Sequence, residues 1–147
     1  MDEIKEYVES KQYIVIKIGD EQYGIDITFI DNIIRMTRIT RVPKVANYIK
    51  GVINLRGEVI PVLSLRLKMY LPADTITNRS RILIIRTEKQ GMIGFIVDEV
   101  REVVTLDADQ ISKTSRSPGE EDSHFISGVG QYNGTLISIL DLGSITE

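Results

Sequence analysis

The 147 residues suffice for one domain with a real core, or for two very small units packed together. Apolar residues at 42% and charged ones at 27% are ordinary for a globular chain, and a net charge of -3 argues against nucleic-acid binding, which needs a clear excess of Lys and Arg. With no Cys and only His124, disulfides, thiolate nucleophiles, Cys-based metal sites and His-based triads within the chain are excluded.

Residues 1–11 mix acids and apolar side chains, lack the apolar core of a signal peptide, and read as an N-terminal tail. The longest purely apolar runs are about five residues, far below the ~20 that a membrane helix needs. Direct membrane insertion is therefore not expected, and the chain reads as cytoplasmic. Tyr13 to Ile18 and Tyr23 to Ile27 are β-rich runs joined by the polar turn Gly19-Asp20-Glu21-Gln22, which predicts a hairpin. Ile27, Ile30, Ile33 and Ile34 fall on one face of a short predicted helix, with Asp26 or Thr28 as its N-cap. Lys44 to Lys50, after Pro43, reads as another helical turn.

The stretch Gly51-Val52-Ile53-Asn54-Leu55-Arg56-Gly57-Glu58-Val59-Ile60-Pro61-Val62-Leu63 predicts a second hairpin with Arg56 and Gly57 at its tip. Pro61 has no N–H for a ladder and is expected at an edge or a bulge. Further on, Ile82 to Arg86 and Met92 to Val97 form a third hairpin. Asp98 to Val104 repeats the helical spacing, and its acids Asp98, Glu99 and Glu102 read as a solvated face. The polar run 113–123 is a loop, expected to be the most mobile internal segment.

The hairpins repeat. At an offset of 70, Gly24 falls on Gly94, Ile27 on Val97, Ile30 on Val100, Ile33 on Val103 and Ile34 on Val104. At an offset of 77, Gly51 falls on Gly128, Gly57 on Gly134, Ile60 on Ile137 and Leu63 on Leu140. Residues 1–147 therefore read as one domain built from a duplicated β unit, about 12–70 and 80–143, with 74–80 as connector. Short strands at regular spacing predict small barrels. Each copy alone is marginal, so the two should share a core, and strands are either contiguous within a copy or exchanged between copies.

Arg56 corresponds to Asn133. Asn-Gly suits a two-residue hairpin turn, in which both residues take φ > 0, whereas Arg gains nothing there. Arg56 is then either part of a longer turn with φ < 0, or a recognition arginine on a rigid tip, or a brace paired with a carboxylate such as Asp26. The isoleucine stripe is either core or the edge of a binding groove. No nucleophile–base pair, phosphate loop or metal cluster is apparent, so neither an enzyme nor a cofactor is expected.

Glu21-Gln22-Tyr23-Gly24-Ile25-Asp26-Ile27, Tyr48 to Gly57, Ile60-Pro61-Val62-Leu63-Ser64-Leu65-Arg66 and Gly94 to Val100 closely resemble the CheW family of bacterial chemotaxis coupling proteins. The resemblance runs from about residue 10 onward. It implies an all-β fold with a few short helices: two intertwined five-stranded SH3-like or OB-like barrels around a shared hydrophobic core. It also implies a non-catalytic adaptor at the chemoreceptor array, linking the cytoplasmic hairpin tips of chemoreceptors to the regulatory domain of the histidine kinase CheA. Arg56 matches the family's receptor-coupling arginine. Ile27, Ile30 and Ile33 match apolar receptor-groove positions, and Asn32 stands there where many members carry Glu. Gly51 and Gly57, with Gly134 as the repeat counterpart, match glycines needed for turn conformation.

Overall fold

The computed structural model describes residues 9–113 and 125–146. Its first copy contains β1 (Ser10–Ile18), β2 (Glu21–Asp26), β3 (Ile30–Arg35), β4 (Ile49–Leu55), β5 (Glu58–Ser64) and the single-turn helix α1 (Leu65–Lys68). The second contains β6 (Arg81–Thr87), β7 (Gly91–Val97), β8 (Glu99–Asp107), the short β9 (Ile111–Lys113), β10 (Ile126–Tyr132), β11 (Thr135–Leu140) and α2 (Leu142–Ile145). The loop expected over 113–123 lies, apart from Lys113, outside the described residues, as does His124.

Strands are exchanged between the copies. One sheet runs β8-β1-β2-β11-β10-β9, the other β3-β6-β7-β5-β4. Each takes its central hairpin from one copy and its remaining strands from the other. The registers repeat as well. Val62 lies opposite Gly94 in the parallel β5–β7 pair, and its repeat counterpart Ile139 lies opposite Gly24 in the parallel β11–β2 pair. In each sheet the chain leaving one edge also pairs with the other edge. β8 pairs with β1, and its continuation β9 pairs with β10. In the other sheet β3 pairs with β6, and Thr40 exchanges two 2.8 Å hydrogen bonds with Val52 of β4. Counting β8 and β9 as one bent strand gives five strands per sheet.

The long apolar runs follow from burial on both faces, since successive strand residues point to opposite sides. Tyr13 and Val15 join Val104, Leu106, Ile137 and Ile139 inside one barrel. Ile82 and Ile84 join Ile53, Ile60, Val62 and Ile96 inside the other. The alternate residues Ile14, Ile16 and Ile18 meet Leu83, Ile85 and Phe95 in a core between the barrels, closed by Leu65 of α1 and Leu142 and Ile145 of α2. Each fully buried side chain of this size stabilises the fold by about 1.5–3 kcal/mol, and neither copy owns the shared core alone.

Four expectations are corrected. The stripe at 27–34 is not a helix: Ile27–Phe29 is one 3-10 turn, capped by Asp26 through Thr28 N at 2.9 Å, and β3 follows. Residues 98–104 likewise enter β8, and 44–48 form turns rather than a helix. For the stripes in β3 and β8 the reason is a bulge. Ile30 pairs with Ile85 and Asn32 with Ile84, which leaves Asp31 unpaired and turns Ile30 and Ile33, three residues apart, to one face. The same bulge falls at Arg101 between Val100 and Glu102. Pro61, finally, lies in an interior strand. Its partner Val52 directs its N–H to Thr40, and the β5–β7 ladder begins only at Val62, so no donor is missed at Pro61.

Asp98 departs from the solvated face expected of it. Arg66 Nε donates to its Oδ1 at 3.0 Å and Arg66 Nη2 to its Oδ2 at 2.6 Å, while Gly19 N donates to Oδ2 at 2.8 Å. Burial alone would push the carboxyl up, but the Arg66 hydrogen bond, the Gly19 amide and the charges of Arg66 and Lys17 together hold it below the ordinary range. This clamp ties α1 of the first copy to the β7–β8 junction of the second.

Candidate partner-binding site

The β4–β5 ladder ends at Leu55–Glu58, so only Arg56 and Gly57 turn the chain. Their φ angles are 51° and 83°, matching 51° and 78° at Asn133 and Gly134. Both are therefore mirror-image two-residue turns, and a longer turn with Arg56 at φ < 0 is ruled out. Gly57 N donates to Asn54 Oδ1 at 3.2 Å. Holding a long L side chain in the left-handed region costs about 1 kcal/mol, which Asn at the equivalent tip largely avoids. The Arg56 side chain is exposed and has no hydrogen bond or ion pair to the described residues. Asp26 does not brace it: that carboxylate accepts from Thr28 and lies 4.0 Å from Lys11 Nζ.

Gly51 supports the same hairpin from its base. Its φ is 142°, and a β-carbon there would stand 2.1 Å from the Thr40 carbonyl oxygen. The Thr40–Val52 bridge, which joins the end of the β3 segment to β4, needs that close approach.

On β3 the register divides the expected residues. Ile30 packs on the shared core. Ile33 is opposite Leu83 of that core and is 38% exposed, so it stands at the edge of the shared core. Asn32, opposite Ile84, faces the barrel interior side, and its Oδ1 accepts from Ile33 N at 2.9 Å. It does not share the face of Ile30 and Ile33. Ile27 is half-buried in the turn before β3. The parallel β5–β7 pairing puts the Arg56 tip and the β6–β7 turn at one end of the sheet, and the start of β3 lies toward that end as well. Arg56 and the isoleucines thus stand on separate elements at one end, with no hydrogen bond among the described residues joining them.

Val103 is the residue that the sequence reading passed over. It is 47% exposed and lies opposite Ile14, as its counterpart Ile33 lies opposite Leu83. Ile14 and Leu83 both belong to the shared core, so Ile33 and Val103 are paired rims of it. The 70-residue offset already carried that signal. Among the described residues no group of His, Asp and Glu could hold a metal, and no helix is long and apolar enough to cross a membrane.

One end of the molecule thus carries an exposed cation on a hairpin tip, and Ile33 and Val103 are partly exposed beside the shared core. The profile of the CheW-like domain family matches residues 12–147. The chain is 36% identical over 142 residues to the chemotaxis protein CheW of Helicobacter pylori, covering 95% of this chain and 83% of that one. It is 33% identical over 137 residues to the Bacillus subtilis CheW, covering 93% and 87%. The crystal structure of the scaffolding protein TtCheW from Thermoanaerobacter tengcongensis matches with a TM-score of 0.86 at 30% identity, covering 95% of this chain and 94% of that one. Fold and relatives together define a scaffold of the chemotaxis machinery rather than an enzyme. The chain belongs to the CheW-like domain family.

Proposed function

We propose that the chain is a non-catalytic adaptor that couples the cytoplasmic hairpin tips of chemoreceptors to the regulatory domain of the histidine kinase CheA, at the cytoplasmic face of the receptor array. The observation that carries the receptor half is Arg56, held at φ 51° where the equivalent tip uses Asn. A costly residue with no internal partner is best explained by an external one. Its guanidinium offers a rigid fork of donors to carboxylates or carbonyls on a helical tip. Ile27, Ile30 and Ile33 supply apolar contact for a helix laid in a groove. The kinase domain is held through other barrel surfaces, so that both partners are bound at once.

Ile33→Glu tests the groove. Ile33 is 38% exposed on an edge strand, so the variant should fold normally and bind a soluble receptor hairpin fragment at least about tenfold more weakly in titration calorimetry. Ile76→Glu, at a connector position 52% exposed, should bind like the unaltered protein. Equal affinity for both variants would remove Ile33 from the interface.

A further inference from the structure

The Arg66 clamp has no equivalent in the second half, and the place it would fill is open. By the same offsets, Gly143 stands where Arg66 does, Thr28 where Asp98 does and Asp141 where Ser64 does. The β6–β7 turn replaces the β1–β2 turn whose Gly19 N–H supports the clamp. Asp141, Gly143 and the β6–β7 turn, with Phe29 next to Thr28, wall a pocket of about 530 Å³ that Glu88, Gln90, Tyr13 and Leu142 also line. In the first half the corresponding space holds the Arg66 guanidinium, and the connector closes over it: Pro72 O accepts from Arg66 Nη1 at 3.4 Å, and Asp74 accepts from the Ser64 hydroxyl.

Two further observations show that the space suits a ligand. Tyr13 is only 6% exposed and lines the pocket, and its hydroxyl bonds to no described residue. Phe29, 42% exposed, offers an aromatic face at the rim. The lining also carries three carboxylates, Asp26, Glu88 and Asp141, against two ammonium groups, Lys11 and Lys89.

We propose that this pocket binds an arginine side chain of a partner protein. The guanidinium occupies the position that Arg66 fills in the other half. There it stacks on Phe29 and is bonded by the Tyr13 hydroxyl and the surrounding carboxylates. An anionic group would meet the excess of carboxylates. Arg56, Ile27, Ile30 and Ile33 do not line the pocket, so the inference stands apart from the receptor-binding proposal.

The test is an amide NMR titration of the full chain with a capped Leu-Arg-Leu tripeptide and with its neutral citrulline analogue. Saturable shifts at Gly143, Gln90 and Phe29 are expected, with the citrulline peptide about tenfold weaker, because a charge-assisted pair is replaced by a neutral one. Gly143→Arg places an arginine in the pocket from within and should abolish the shifts. A β-carbon at Gly143 meets nothing nearer than Asp141 Oδ1 at 3.4 Å, so the fold should accept it. Glu88→Gln, on an exposed turn, should weaken binding without perturbing the fold, and it decides the matter with the citrulline arm if Gly143→Arg misfolds. Non-saturating shifts, equal binding of both peptides, or undiminished binding by Glu88→Gln or by a folded Gly143→Arg would overturn the proposal.

Discussion

Arg56→Ala should leave thermal unfolding within about half a kcal/mol of the unaltered protein and weaken receptor-fragment binding by about thirtyfold or more. Truncating a central interface arginine commonly costs ~2 kcal/mol, and ~1.4 kcal/mol is a factor of ten. The folded state loses little, because the guanidinium touches no described partner. Arg56→Asn sharpens the contrast. It installs the residue that the equivalent tip already uses at φ 51°, so stability should rise by up to about 1 kcal/mol while binding still falls. A tip selected only to turn the chain would give the opposite pairing: unchanged binding in both variants. The proposed account thus requires a position at which function and stability pull apart.

Gly51→Ala should have the largest effect on folding, more than about 3 kcal/mol or outright failure to accumulate. The strain has two sources. The backbone lies at φ 142°, where L residues are disfavoured, and the new methyl group would collide with a carbonyl oxygen at 2.1 Å. Relief requires Thr40 to withdraw, which breaks both 2.8 Å bonds to Val52 and opens the junction between the β3 segment and β4. Gly57→Ala is the control. Its φ is 83° but no atom lies within 4 Å of a β-carbon there, so only the left-handed cost of about 1–2 kcal/mol remains. Urea unfolding of both variants separates collision from conformation. Equal losses would mean that the Thr40 contact is dispensable.

Much of this architecture is legible in the sequence. The offset of 77 that aligns Leu63 with Leu140 is the one at which the β4–β5 and β10–β11 ladders repeat, and the offset of 70 that aligns Gly24 with Gly94 holds for β2 and β7, while β1 and β6 correspond at 69, with Val15 opposite Gly24 and Ile84 opposite Gly94. Strand exchange was not legible, because an apolar strand such as Ile82 to Ile85 is equally satisfied beside either copy's partners. The registers Val62–Gly94 and Ile139–Gly24, with the β1–β8 and β3–β6 pairings, reveal the crossing. The helical reading of Ile30 and Ile33 failed for a specific reason. A bulge converts the strand period of two into a local spacing of three, which a sequence pattern cannot distinguish from a helix turn. Sequence alone makes Asp98 look solvated because its partner, Arg66, lies 32 residues away and is brought to it by a parallel pairing. Arg56 was singled out by its mismatch with Asn133, but its left-handed φ became apparent only once the turn was seen to hold two residues.

The central claim is that one molecule holds receptor and kinase together through separate surfaces. The most direct measurement is analytical ultracentrifugation of the full chain with a labelled receptor hairpin fragment and the CheA regulatory domain, singly and together. The account predicts a ternary species containing both partners, with the affinity for each unchanged by saturation with the other. Displacement of the receptor fragment by the kinase domain, with no ternary species, would contradict it.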